Sequence, residues 1–393
     1  MSEPAGRLAR AYDGNCLYYT AANKAAAQPE QNMRKIWVEQ GGTVTVKDEP
    51  EPELPPRWYL TDTQYSLISA GTEGMHIRNQ MQSDAGGPRR IGYSNSGVIR
   101  EAGEGADRLQ TGRLVGCYGG GYADHQSVCA VPETLLAPCP ENVTAEQAAF
   151  GGVATFGLNG LRLCELSFGE VVAVVGLGLI GQITLQIAEA AGYRTVGLSH
   201  SDKLLELATE LGAHGVVKAG EPDSIDRAIE MAVGLGGAEP AEGRPGGFDA
   251  AVVCSGRTGD NTALLEGLEL IRDRGVVSIV GAPELRFPRA PFFAREARLV
   301  IARAAGVGRY DPHHEDDAEP IPHSHTRWTE GRNLAEVLRL IGDGKLNVDR
   351  LITHTFDIEE APEAYDLILN RPKDCLGVLF RYPTGESIPG RAG

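Results

Sequence analysis

The sequence predicts an α/β protein in which a β-rich, barrel-like part is joined to a parallel sheet covered by helices on both faces. Three observations carry this. Short strand-like runs divided by Gly- and Asp-containing turns occupy residues 35–131. Continuous apolar runs alternating with helical segments occupy residues 171–281, the pattern of strands with no solvent face. The chain is 393 residues long, more than one usual domain needs.

Composition narrows the function classes. The 37 basic and 53 acidic side chains give a formal charge of −16, which disfavours nucleic-acid binding, since phosphate contacts need clustered Lys and Arg. The 50 glycines follow no fixed period, so they mark tight turns rather than a fibre. Seven cysteines without repeated spacing do not form a disulfide framework. The first residues lack the apolar core of a signal peptide, and no apolar run reaches the roughly 18 residues that a membrane span needs. The expectation is a soluble, cytoplasmic protein acting on a small molecule, with neither nucleic acid nor membrane as partner.

The elements follow in order. Residues 1–30 show no steady period and read as an extension. Runs at 35–38 and 43–47 are short strands, followed by the acidic, Pro-rich stretch 48–56. Residues 58–68 alternate loosely as a strand and lead into Ser69-Ala70-Gly71-Thr72-Glu73, which reads as a small-residue turn. Strands are expected at 92–101, 113–118 and 123–131. Thr144-Ala145-Glu146-Gln147 has the form of a helix N-cap and opens an apolar helix through 156. Then come strand 171–175, helix 180–191, strand 195–198, helix 203–211, strand 215–218, strand 248–254, helix 261–270 and strand 275–281. Residues 294–303 read as helix then strand, and 311–327 as a solvated loop holding His313, His314, His323 and His325. Helix 332–341, strand 351–356, helix 358–369 and strand 376–380 close the chain.

The strongest motif is Gly176-Leu177-Gly178-Leu179-Ile180-Gly181, directly after one strand and opening a helix. Gly176 permits the tight turn, Gly178 lets a pyrophosphate approach the backbone, and Gly181 lets the helix pack on the strand. The phosphates would sit over free N–H groups at the positive end of that helix. At the end of the second strand an NAD site usually has a carboxylate for the ribose 2′-hydroxyl, but Ser199 stands there. With no carboxylate to repel a 2′-phosphate, and with Ser199, His200 and Lys203 as donors, the site tilts toward NADP over NAD. Asp202 is the alternative, a shifted ribose ligand. Cys254 and Gly281, at the ends of the expected strands 248–254 and 275–281, complete the expected cofactor contacts.

Over about residues 34–381 this pattern resembles the medium-chain dehydrogenase/reductase superfamily, the relatives of zinc-type alcohol dehydrogenases. The segments that carry the resemblance are YSLISAGTE (65–73), residues 171–217, residues 248–256 and LITHTFDIEEAPEAYDLIL (351–369). It implies a GroES-like catalytic domain over 31–150, a Rossmann cofactor domain over 151–305, and a return to the catalytic domain, with a substrate loop, over 306–393. It also implies a homodimer. Zinc-dependent members carry Cys-Gly-Thr/Ser-Asp and Gly-His-Glu, where this chain has Ala70-Gly71-Thr72-Glu73 and Gly92-Tyr93-Ser94. Two ligands are thus replaced by side chains that do not bind zinc well, and Cys117, Cys129 and Cys139 are too widely spaced for a structural zinc lobe. The expectation is an enzyme without zinc. The SAGTE motif, residues 308–312 and residues 327–330 are similar to a branch with bacteriochlorophyllide dehydrogenase-like and sugar- or cyclitol-linked members. That similarity implies a sugar, cyclitol or aminocyclitol substrate.

Without a metal, side chains must move the proton and stabilise the developing alkoxide. Thr72 occupies the family's hydroxyl-relay position, Tyr93 the place of the His ligand, and Glu73 lies in the same motif, so these three are the catalytic candidates. Ser94, Asn95, Arg309, Tyr310 and Trp328 are the substrate-contact candidates, while Asp124 and His125 fit either a cleft or the surface. The leading activity is interconversion of a secondary alcohol and a ketone with NAD(P). Reduction of an activated C=C bond with NADPH, and a redox-neutral epimerisation or elimination using bound cofactor, are the alternatives.

Overall fold

A computed structural model describes residues 32–82, 87–256 and 259–383; the N-terminal extension expected at 1–30 lies outside them. The first part is β-rich. Strands β1 (Asn32–Val38) and β2 (Val44–Pro50) form a small sheet with β4 (Arg89–Arg90). Next to them in sequence, β3 (Trp58–Leu67) runs antiparallel to β5 (Ser94–Ala102), which pairs with β6 (Leu114–Tyr118) and on to β8 (Leu136–Pro138). β7 (Val128–Pro132) also pairs with β3. The last strand of the chain returns here: β16 (Gly377–Arg381) lies antiparallel to β3 and carries β15 (Ile352–Asp357).

A third sheet has six strands, all parallel, in the order β11-β10-β9-β12-β13-β14. They are β9 (Val171–Val175), β10 (Arg194–Ser199), β11 (Gly215–Lys218), β12 (Phe248–Val253), β13 (Ile271–Ile279) and β14 (Arg298–Ile301). Every residue of β9 is buried, and its alternate side chains serve two different cores. Val172 and Val174 pack with Ile183 and Leu185 of helix α4 (Leu179–Ala190), whereas Val171, Ala173 and Val175 pack with Leu264 and Leu268 of α7 (Thr262–Leu270). That two-sided burial is why the strand reads as an unbroken apolar run. Counted from β9, the order is that of a doubly wound sheet, and the order reverses between β9 and β12. The glycine loop leaves the carboxyl end of β9 at that reversal.

Four expectations are corrected. Residues 69–73 are not a turn but the start of helix α1 (Ala70–Gln82). Its two glycines conceal the helix from a propensity reading, but Glu73 reaches back to accept the Ser69 N–H at 2.8 Å and so closes the free helix end. The helix begun at Thr144 is broken into α2 (Ala145–Ala148) and α3 (Gly151–Leu163). The expected cap is present, with the Gln147 N–H donating to the Thr144 hydroxyl at 3.2 Å and the Gln147 side chain accepting the Thr144 N–H at 3.1 Å. Ser94 makes the break by donating to the Ala149 carbonyl at 2.7 Å and accepting from the Val153 N–H at 3.2 Å.

Helix α6 (Ser224–Gly234) fills a stretch to which the sequence reading assigned no element, although Ile225, Ala228, Ile229 and Ala232 carry the helical spacing. The segment 311–327 is not simply solvated. It contains a turn of helix, α9 (Pro312–Glu315), in which His314 and Glu315 are buried. Trp58 donates to the Asp316 carbonyl at 3.0 Å, Tyr122 to its carboxylate at 2.6 Å, and Thr134 to the His314 carbonyl at 2.6 Å. These bonds anchor the segment beside the sheet that contains β3. The remaining helices are α5 (Asp202–Glu210), α8 (Arg289–Arg295), α10 (Glu330–Gly342) and α11 (Ala361–Asn370).

Candidate active and cofactor site

The glycine loop divides its roles by space. Gly176 has φ of 91°, and a Cβ there would lie 2.4 Å from Ser255 Cβ. A Cβ on Gly181 would lie 1.9 Å from the Gly176 carbonyl oxygen, so loop and helix touch backbone to backbone. At Gly178, the N-cap of α4, a Cβ would meet nothing within 4 Å. That empty space lies over the first turn of α4, whose N–H groups point outward. Leu177 is buried in the core, Leu179 and Ile180 are part-buried in the first turn, and Cys254 packs under the loop at 3.5 Å from the Thr184 hydroxyl. Burial pushes the Cys254 thiol up to about 12, so it serves as an apolar contact there. Gly281 would place a Cβ 2.4 Å from the Ser255 carbonyl oxygen, which makes it a packing glycine beside the same loop.

At the end of β10, Ser199 is buried and accepts the Ser201 N–H at 3.2 Å. His200 and Lys203 are exposed beside it. Asp202 is engaged by Lys218 Nζ through both carboxylate oxygens, at 2.7 and 2.6 Å. A ribose ligand at Asp202 would have to displace that ammonium.

The catalytic candidates meet at the N-terminus of α1. Glu73 is buried and saturated: besides the Ser69 N–H it accepts from the Tyr365 hydroxyl at 2.5 Å and lies 3.0 Å from His125 Nε2. Ser66 Oγ lies 2.7 Å from His125 Nδ1 and 2.8 Å from the Tyr382 hydroxyl, completing a buried polar chain. Burial alone would push the Glu73 carboxyl up. The His125 ring, the Tyr365 hydroxyl and the Ser69 N–H outweigh it and hold Glu73 below its ordinary value. Glu73 is therefore fully engaged within the interior, where it fixes the start of α1 on which Thr72 stands.

Tyr93 differs. Its ring stacks on Phe156 at 5.7 Å and meets Tyr118 edge-on at 6.4 Å, yet its buried hydroxyl has no aligned hydrogen-bond partner. Burial and then the Glu73 charge drive its pKa upward, while the neighbouring Ser69 and Thr72 side chains pull the other way. A phenol held protonated is a donor rather than a base. The part-buried Thr72 hydroxyl adjoins it.

The substrate candidates separate. Ser94 and Asn95 are fully buried. Ser94 belongs to the α2–α3 junction, and the Asn95 amide donates toward Cys129 Sγ at 3.3 Å and the Asp124 carbonyl at 3.4 Å. Arg309 approaches the Tyr93 side: the Cβ position of Gly120 is 4.0 Å from both Arg309 Nη2 and Tyr93 Cβ. The guanidinium lies 5.6 Å from the Tyr118 ring and 4.2 Å from the exposed Tyr310 ring. Trp328 sits instead between the guanidinium groups of Arg162, at 3.4 Å, and Arg327, at 4.2 Å. Asp124 and His125 lie neither in a cleft nor on the surface; both are buried, and Asp124 accepts the Gly121 N–H at 2.7 Å. His313 is exposed and pairs with Asp317 at 2.8 Å, as a solvated histidine would.

Sequence reasoning missed Tyr365 and Ser66, which come from distant segments, and Glu330; it noted Glu315 only as part of an acidic loop suited to a cationic substrate, not its bond to Arg309. No local spacing announces such long-range contacts.

The donor set does not fit a catalytic zinc. Where the resemblance puts two zinc ligands this chain has Ala70 and Tyr93, Ser94 is bonded elsewhere, and Glu73 and His125 bind each other in the interior. Burial pushes the thiols of Cys129 and Cys139 up to about 11 and 12, far from thiolate character. Among the described residues no group of three or more His, Cys, Asp and Glu could hold a metal ion.

Comparison with known proteins agrees with the fold. The family described as "Zinc-binding dehydrogenase" matches residues 180–315. Sorbitol dehydrogenase 1 of Saccharomyces cerevisiae is 25% identical over 368 residues, covering 84% of this chain and 93% of the yeast protein. Human sorbitol dehydrogenase is 24% identical over 377 residues, covering 87% and 94%. Among solved structures, an Escherichia coli alcohol dehydrogenase complexed with NADH superposes with a TM-score of 0.69 at 17% identity, covering 89% of this chain and 99% of that one.

Proposed function

We propose that the chain is a member of the medium-chain dehydrogenase/reductase superfamily, with zinc-type alcohol dehydrogenases among its relatives, and on that premise a specific chemistry follows for it. It is an NAD(P)-dependent oxidoreductase, and the reading is that it interconverts a secondary alcohol and a ketone on a polyhydroxylated small molecule without zinc. The observation that carries the zinc-free part is Tyr93. In the position that the resemblance gives to a metal-binding imidazole, this chain has a buried phenol without an aligned hydrogen-bond partner, beside the Thr72 hydroxyl.

When bound, the nicotinamide supplies or accepts the hydride. The residues present suit its dinucleotide: a tight glycine turn, open space at Gly178 and the free N–H groups of α4. Ser199, His200 and Lys203 favour a 2′-phosphate, and because Lys218 occupies Asp202, NADP is the expected choice. Tyr93 then donates a hydrogen bond to the substrate oxygen, where negative charge develops as a ketone is reduced. Thr72 passes the proton between that oxygen and solvent. Arg309 and Tyr310 face substrate hydroxyls. The relation to sorbitol dehydrogenases supports a polyol-like substrate.

A donor without a base also suffices to stabilise an enolate, so reduction of an activated C=C bond remains the second reading. The assay is reduced-nicotinamide absorbance, with purified, metal-analysed protein and a panel of sugars, cyclitols, aminocyclitols and enones. Cofactor turnover with a hydroxylated substrate, undiminished by chelator, supports the proposal. Turnover restored only by zinc defeats it.

β14 is an open sheet edge, and Phe293 and Ile301 near it are exposed at 69% and 58%, which suits pairing of two copies as a homodimer. A cytoplasmic site of action belongs to the same reading. The six described cysteines are free thiols, and no described helix is long and apolar enough to cross a membrane.

A further inference from the structure

Beside Arg309 lies a pair of acidic side chains that the mechanism above does not use. Arg309, in the segment after β14, donates from Nη1 to Glu315 Oε1 of α9 at 2.5 Å. Glu330, the first residue of α10, is fully buried, and both its carboxylate oxygens lack a donor. Its carboxyl interacts with that of Glu315. Backbone pairing fixes this arrangement: the Glu330 N–H donates to the Val307 carbonyl at 2.9 Å, and a Cβ on Gly308 would lie 2.3 Å from the His314 ring.

Two ionised carboxylates cannot face each other in a buried space without a proton or a cation between them. Arg309 is the one cation of the group that is nearly buried, and it is already bonded to Glu315, while Arg303 is exposed to solvent. We infer that Glu315 and Glu330 share one proton, so that the pair carries a single negative charge that cancels Arg309 and makes its guanidinium a binder of neutral hydroxyls rather than of anions. This rests on the dehydrogenase reading only for placing Arg309 at the substrate; the proton itself follows from the burial.

The groups facing Glu330 agree with this charge count. Glu315 faces it from α9, Arg309 and Arg303 from the segment after β14, and the Tyr118 hydroxyl from the end of β6. Tyr310 faces the Arg309 side of the group. Burial first, and then the Glu315 charge, push the Glu330 carboxyl up to about 9, although Arg309 and Arg303 pull against them. While the pair keeps its proton, its single negative charge matches that of Arg309. Above that pH the pair becomes doubly negative and Arg309 no longer balances it.

The inference narrows the substrate class. A phosphorylated or carboxylated substrate would need an uncancelled cation, whereas a neutral sugar or cyclitol would find in Arg309 and Glu315 both a donor and an acceptor.

Two measurements test it, and neither needs turnover or cofactor. Isotope-edited infrared spectroscopy on protein with 13C-labelled glutamate should show a protonated carboxylic acid at neutral pH. The band should fade as pH rises through about 9 and be missing in both Glu330→Gln and Glu315→Gln. Calorimetry with inorganic phosphate should show binding at least tenfold tighter in the Glu315→Gln/Glu330→Gln double variant than in the wild type. A wild-type spectrum without the acid band, a band surviving both substitutions, or equal phosphate affinity in the two proteins, including none in either, overturns the inference. Absence of nicotinamide turnover with an intact acid band would instead count against the dehydrogenase reading alone.

Discussion

Gly178→Ala and Gly181→Ala, three residues apart in one motif, should fail in opposite ways. At Gly181 the new methyl would lie 1.9 Å from the Gly176 carbonyl oxygen. Loop and helix must then separate, at a cost of about 1–3 kcal/mol or more, as for other overpacked sites. At Gly178 the methyl meets nothing within 4 Å, and φ of −65° is one any residue adopts. The only folding cost is that of alanine at an N-cap, about 1 kcal/mol or less. If that space holds the pyrophosphate, the same methyl displaces it by about its own radius. Cofactor affinity should then drop at least ~30-fold, roughly 2 kcal/mol. Thermal unfolding and fluorescence titration with NADPH, on both variants, separate the two effects. Gly178→Ala should melt close to wild type and bind poorly, while Gly181→Ala should melt clearly lower. A Gly178→Ala protein that keeps wild-type affinity would refute the assignment of that space to the cofactor.

Three further outcomes are expected. Tyr93→Phe removes a hydroxyl without an aligned partner, so stability should hold within about 0.5 kcal/mol. Turnover should fall by about 10²–10³, the usual cost of one lost transition-state donor, with NADPH affinity retained. Glu73→Gln leaves His125 and Tyr365 without their shared carboxylate and should cost about 3 kcal/mol in denaturant unfolding. Because Glu73 is held below its ordinary value of 4.5, its contribution is present above that pH and is lost as pH falls through the lower folded value. Wild type should therefore lose more stability than Glu73→Gln across that acid window, and parallel curves would contradict this. Ser199→Asp puts a carboxylate at the end of β10 and should weaken NADP binding at least tenfold while sparing NAD; unchanged selectivity would place the 2′-phosphate elsewhere.

Much of the fold is legible in the sequence because it is encoded locally. The apolar run of β9 and the glycines after it place the cofactor loop without any long-range information, and the Thr144 cap marks α2 to the residue. What escapes the sequence depends on contacts between distant segments. Ser94 looks like a substrate residue in its motif, yet its hydroxyl breaks the helix at Ala149, some 55 residues later. His125 carries no local sign that Glu73, Ser66 and Phe380 enclose it. The glycines of α1 lower its propensity, and only the return of Glu73 to Ser69 and packing against α11 secure the helix. Tyr93 was legible as a replacement for a ligand; that its hydroxyl is left without a partner was not.

The central claim is hydride transfer without a metal, with Tyr93 and Thr72 as the groups at the substrate oxygen. A crystal structure of the protein soaked with NADP, with metal analysis on the same sample, tests it most directly. The account predicts the dinucleotide over Gly176–Gly181, no stoichiometric zinc, and Tyr93 or Thr72 within about 3.5 Å of the space facing nicotinamide C4. Bound zinc at the α1 N-terminus, or a nicotinamide lodged away from both hydroxyls, would contradict it.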